Sequence, residues 1–221
     1  MLTAYLTQTS RLLHDPQNVN FSAADLTAYI NLARGQIASQ TQCVRCLDIV
    51  NLANGTESYA LPTTGTLAGS GQATAVLSVA MPWGTYKPVL DRFSWGDFQA
   101  QFRLFTGTVQ GFPECWAQLG DALSSAVYFF PIPTQVFASE WYCAHTVLPL
   151  ASDQDPEAIP YPFTDCVPYF AAYLALINAQ RYQESKVMFQ TFQMFMQSAR
   201  AATNPLFSST AYPTIPGNAD G

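Results

Sequence analysis

Lysine is nearly missing: Lys87 and Lys186 are the only two in 221 residues. Gripping a nucleic-acid backbone needs clustered Lys and Arg, so strong DNA or RNA binding is excluded. Charge of either sign is scarce, at 11% of residues. Typical soluble domains carry roughly 25%. Histidine is limited to His14 and His145, far apart in sequence. Long apolar runs are missing too. No stretch approaches the roughly 18 residues of a membrane-spanning helix, so no membrane partner is expected. The start, Met1-Leu2-Thr3-Ala4-Tyr5, has no basic region followed by an apolar run, and no secretory signal is expected. Cysteine is odd in number, at five, which leaves one over in any disulfide scheme. Cys43 and Cys46 have the C-x-x-C spacing, but a structural zinc site needs two further ligands. Buried thiols in a reducing compartment are the simpler expectation. No cofactor and no metal are expected.

What is present is apolar. The hydrophobic fraction is 49%, which excludes a disordered chain. Fifteen acids against nine bases leave a formal charge of −6 at pH 7. A surface so poor in charge is either a neutral one of Gln, Thr and Ser or one covered by partner subunits. The second is favoured, because neutral surfaces associate.

The chain reads as α+β: a helical domain built from N-terminal and C-terminal helices, with a β-rich insertion between them. Residues 1–43 carry two helices. Leu2, Leu6, Thr9 and Leu13 form the first helical stripe, and His14-Asp15-Pro16 ends it. Ser22 caps the second helix, with Asp25 in its first turn and Leu26, Ile30, Ala33 and Ile37 on its apolar face. Residues 44–163 switch to short β-type runs. Strands are expected over 44–52, 58–62, 73–79, 86–90, 116–119, 125–130 and 136–147. Asn54-Gly55 and Gly120-Asp121 signal hairpins. Ser94 opens a short helix reaching about Leu104. Residues 164–203 return to helix, with Thr164 as cap, a first stripe of Phe170, Leu174 and Ile177, a break near Tyr182 and a second stripe of Met188, Phe192, Phe195 and Ala199. Residues 204–221 form an extended tail. The β-rich part carries ten acids and four bases, so the whole net charge lies there.

No catalytic signature is present: no P-loop, dinucleotide fingerprint, H-E-x-x-H or G-x-S-x-G. The glycines of 65–71 imitate a phosphate-cradling loop but lack the Gly-Lys and the helix, so a mobile hairpin tip is expected. Cys143 and His145 share one face of a strand, the geometry of a Cys/His nucleophile pair, yet nothing local in sequence orients the imidazole. Asp153, Asp155 and Glu157 alternate in an acidic loop whose spacing matches no calcium site. Phe129 and Phe130 end a strand against prolines and are candidate interface residues, as are Leu206, Phe207, Tyr212, Pro213 and Ile215 in the tail. A tail this long needs something to tie it down.

The order of certain patches resembles tailed-bacteriophage head-to-tail adaptor proteins, also called connector or head-completion proteins. The patches are Arg11-Leu12-Leu13-His14-Asp15-Pro16, Asn20-Phe21-Ser22, Tyr29-Ile30-Asn31 with Ala33-Arg34, Tyr59-Ala60-Leu61-Pro62, Phe129-Phe130-Pro131-Ile132-Pro133, Val167 through Leu176, and Met194 through Arg200. The resemblance implies a structural virion protein and no enzyme. It implies a ring, usually of twelve subunits, below the portal, extending the DNA channel and docking tail or neck proteins. Genomic DNA would pass through the lumen without specific binding, and the C-terminal segment would reach the portal or an adjacent subunit. Assembly in the host bacterial cytoplasm follows from the same resemblance. The alternatives are another neck or tail-terminator ring protein, a Cys/His hydrolase and a β-type binding module.

Overall fold

The computed structural model describes residues 1–82, 84–103, 109–120 and 125–203. The tail candidates Leu206, Phe207, Tyr212, Pro213 and Ile215 lie outside them, as do Leu104 and Asp121.

Helix α1 spans Leu2–Leu12 and α2 spans Ala23–Thr41. At the start of α2 the Asp25 N–H donates to the Ser22 hydroxyl at 3.1 Å, and that hydroxyl donates to the Asp25 carboxylate at 2.6 Å. This cap satisfies one of the N–H donors that a helix start leaves orphaned. Leu26, Ile30, Ala33 and Ile37 are fully buried, as their spacing requires. Between the two helices, Asp15 accepts the N–H groups of Val19, Asn20 and Phe21 at 2.9, 2.7 and 3.0 Å. One carboxylate thus shapes the whole turn.

Near the C-terminus, α4 spans Val167–Asn178 and α5 spans Tyr182–Thr203. Thr164 does not cap α4; it lies inside a 3-10 turn over Phe163–Cys166, and α4 begins behind it with Pro168 in its first turn. The buried face of α4 is Val167, Ala171, Ala172, Ala175 and Leu176, one position round from the expected stripe, and Ile177 is exposed. The segment is apolar on every side, so periodicity could not choose a face. Packing chose it: alanines let α1 and α2 approach α4 closely, while Phe170 sits at the flank against Phe192, ring centroids 4.8 Å apart. On α5, Phe192 and Ala199 are buried as expected, but Met196 takes the place assigned to Phe195. Phe195 stacks on Tyr169 at the surface instead. Residues from all four helices share one core.

Among the described residues, nine strands lie between. β1 (Arg45–Leu52), β9 (Phe137–Val147) and β3 (Ser70–Ala80) form an antiparallel sheet in the order β1-β9-β3. A second sheet has the order β2-β7-β6-β4, with β2 at Ser58–Ala60, β7 at Ala126–Phe130, β6 at Cys115–Leu119 and β4 at Asp91–Arg92. Two short strands, β5 (Gln110–Gly111) and β8 (Ile132–Pro133), pair in parallel. Leu52, Val76, Val79, Trp116, Val127, Phe129 and Trp141 fill the space between the two larger sheets. The outer face of the second sheet packs Cys115, Ala117, Tyr128 and Phe130 on α3 (Trp95–Gln101), which Ser94 caps as expected.

Two local expectations fail. Asn54-Gly55 turns the chain, with Gly55 at φ 73°, but does not close a hairpin. β1 pairs with β9 over eight residues, and β2 joins the other sheet. The long match of inward residues on β1 and β9 outweighs the short local pairing. Residues 86–90 form no regular strand: Val89 bridges Ala80, the Met81 N–H donates to the Pro88 carbonyl and the Leu90 N–H to the Val79 carbonyl, but Pro88 has no N–H to extend a ladder. The second hairpin is present: β6 and β7 pair antiparallel up to Leu119 and Ala126.

Candidate functional site

Strand alternation sends Cys143 and His145 of β9 inward, as expected. It does the same for Cys46 and Asp48 of β1, and Cys46 stands directly opposite Cys143. Asp48 Oδ2 lies 2.7 Å from His145 Nε2, and the Gly71 carbonyl lies 2.9 Å from Nδ1. A carbonyl only accepts, so Nδ1 carries a proton. Nε2 faces a carboxyl group, so a second proton lies between His145 and Asp48. The Thr66 N–H donates to the other Asp48 oxygen at 3.2 Å. Asp48, Cys143 and His145 are all buried, and their ligand-type atoms lie within 4.8 Å of one another.

The expectation that nothing orients the imidazole is therefore corrected: both its nitrogens are held. That same fact removes it as a base for Cys143. Burial and the Asp48 carboxylate beside it push the Cys143 thiol well above its ordinary range, the opposite of an activated nucleophile. Three other thiols follow. Burial raises Cys115 to about 12 and Cys166 to about 11, and it raises Cys43 as well. Cys43 and Cys46 do not act as a pair. Cys43 packs against the helical core, and Cys46 faces the sheet, its Sγ 3.7 Å from Ser70 Oγ.

The segment 65–71 is no free hairpin tip. A Cβ on Gly65 would stand 2.4 Å from Ser70 Oγ and 2.9 Å from both Cys46 Sγ and His145 Cε1. The loop lies directly on the cluster, and only glycine fits there. Sequence reading missed Asp48 because its role depends on the β1–β9 register. The available signal was the spacing of two between Cys46 and Asp48, matching that between Cys143 and His145.

The three acids of 153–157 do not converge. Asp153 accepts the Thr3 N–H at 2.8 Å and Asp155 accepts the Ala151 and Ser152 N–H groups, both at 2.6 Å. Glu157 takes Arg34 in a bidentate pair, with Nη2 at 2.8 Å and Nε at 3.0 Å. Each carboxylate is tied to a different partner, so they form a clasp rather than a cation loop. Arg34 is 0% exposed and also donates to the Leu148 carbonyl at 2.8 Å. Asn31 accepts from the Leu150 N–H at 2.8 Å and donates to its carbonyl at 3.0 Å. Asn31 and Arg34 thus bind α2 to the chain returning from the strands.

Among the interface candidates, Phe129 is 0% exposed, between Tyr59 and Trp141, and offers no surface. Phe130 is half-buried and stacks on Phe102 at 4.8 Å between centroids. The exposed apolar side chains lie elsewhere. Leu47 and Ile49 project outward from β1, an edge strand among the described residues, and Ile49 is 70% exposed. Tyr142, paired with Leu47, shares that face.

A sequence-family model, described as SU10 adaptor protein, matches residues 2–213. The chain belongs to the SU10 adaptor protein family. The match covers the helices, the strands between them and part of the tail, and it agrees with the phage-adaptor resemblance read from the scattered patches. A search of curated proteins finds no match. The family is one of structural phage adaptors, not of enzymes. It implies a virion component that meets portal and tail proteins. The adaptor has no helix, among the described residues, long and apolar enough to cross a membrane. Two of the patches that carried the resemblance, Asn31 with Arg34 and Asp15, hold junctions of the helical core in this adaptor.

Proposed function

We propose that the chain is a head-to-tail adaptor that closes into a ring below a phage portal, extends the DNA channel and offers the docking surface for tail or neck proteins. The family match over residues 2–213 carries this reading. The ring consists of copies in head-to-tail contact, twelve in number as the resemblance implies, with a rotation that closes. The outward face of β1 and β9, with Leu47, Ile49 and Tyr142, supports such contacts: β1 is a sheet edge among the described residues, and its exposed apolar side chains favour a neighbour. The helical body and the β-rich insertion act as separate units of the ring, the helices packing against neighbours.

Leu206, Phe207, Tyr212, Pro213 and Ile215 reach the portal or an adjacent subunit, and Phe130 lies at the edge of a docking surface. The acidic balance fits a channel that must release its cargo. Like charges repel the phosphate backbone and keep the duplex centred. Removing residues 204–221 tests the tail's role. The truncated chain retains α5 to Thr203 and is expected to keep its Tm while failing to bind portal assemblies of its phage. Unimpaired portal binding by the truncated chain would remove the tail from the interface.

A further inference from the structure

We propose that Asp48, Cys143 and His145 form a structural metal site of the zinc type, set where the strands meet the helical core. This goes beyond the adaptor reading and does not depend on it.

The donor set carries the inference. One imidazole nitrogen, one carboxylate oxygen and one thiol converge within 4.8 Å, all three residues buried. Mixed nitrogen, oxygen and sulfur donors suit Zn²⁺, which accepts each of them in tetrahedral geometry. A tetrahedral zinc spaces such donors about 3.3–3.8 Å apart. Asp48 Oδ2 and His145 Nε2, now at 2.7 Å, need open only slightly, and Cys143 need only close in. The outer contacts are those a metal ligand needs. His145 presents Nε2 to the cluster and keeps Nδ1–H on the Gly71 carbonyl, which fixes tautomer and ring orientation. Asp48 keeps its second oxygen on the Thr66 N–H.

Charge balances as well. A dication with one carboxylate, one thiolate and one neutral imidazole has no net charge, which suits a buried position. Binding expels two protons: the one shared by Asp48 and His145, and the thiol's. Cys46 stands opposite Cys143 in register, but its Sγ lies 3.7 Å from Ser70 Oγ and it flanks the three donors without joining them, which leaves the fourth position to a water.

Position gives the site its purpose. The His145 N–H donates to the Val44 carbonyl at 2.9 Å, and Val44, Val147 and Leu150 pack in the helical core. An ion here would lock β1, β9 and the loop before β3 together beside the end of α2. It would fix how the strands stand on the helices.

The test uses the full chain, purified without a metal-binding tag or chelator, with metals read by plasma mass spectrometry. About one zinc per chain is expected. Stripping it with a strong chelator should lower Tm, and added Zn²⁺ should restore it. Cobalt added to the stripped chain should give thiolate-to-cobalt charge-transfer absorption, which reports a cysteine ligand without any mutation. Cys143→Ser and Asp48→Asn should weaken or abolish that signal, and His14→Gln should leave it intact. A chain without zinc, whose Tm ignores added Zn²⁺ and which gives no thiolate band, overturns the proposal. A band of undiminished strength in Cys143→Ser also overturns it.

Discussion

Arg34 has no solvent to turn to. Its guanidinium is fully buried and is satisfied by Glu157, Asn31 and the Leu148 carbonyl. Removing one partner of a buried ion pair leaves the other charge uncompensated, at a cost of about 3–5 kcal/mol. Arg34→Met is therefore expected to lower unfolding free energy by about that amount, measured by urea denaturation. Arg34→Met with Glu157→Leu should recover much of the loss, because both charges are gone. Asp15 works differently. Burial raises its carboxyl, but the Val19, Phe21 and Asn20 N–H donors outweigh that and hold it below its ordinary value. A carboxyl lowered on folding adds stability above its unfolded pKa of about 3.9 and loses it as pH falls toward the folded value. Tm measured from neutral to acid pH should thus fall less steeply below about pH 4 in Asp15→Asn than in the parent chain. Asp15→Asn should already be less stable at neutral pH.

At the scale of elements, β1 matters most. Its inward face serves the core and the Asp48 cluster, while Leu47 and Ile49 face out. Ile49→Lys is expected to leave Tm nearly unchanged and to weaken ring assembly on portals, read by sedimentation. A substitution there that unfolds the chain, or one that leaves assembly intact, would assign β1 no interface role. Two serine caps and the face of α2 were legible locally, whereas Thr164, read as a cap, lies inside a 3-10 turn. Ser22 and Ser94 cap as their sequence requires, and the face of α2 follows its spacing. Legibility failed where tertiary packing decides. α4 is apolar all round, so its buried face follows from how closely its alanines let other helices approach. Asn54-Gly55 signals a hairpin, but β1 finds its partner in β9, far along the chain. The same long-range pairing hid Asp48 from the Cys143 and His145 site. The tail candidates lie outside the described residues, and Phe129, read as interface, is core.

At the scale of the molecule, low charge, an apolar strand edge and membership of the SU10 adaptor protein family point to an assembled part. The helices from both ends of the described chain share one core, and the strands between them have another. The proposed ring forms on its portal, so the oligomeric state of the free protein tests little. The decisive measurement is electron microscopy of the phage particle that carries this chain, reading the rotational symmetry of its density below the portal. The account predicts a closed ring of about twelve copies coaxial with the DNA channel. Isolated copies, or density away from the portal axis, would contradict it.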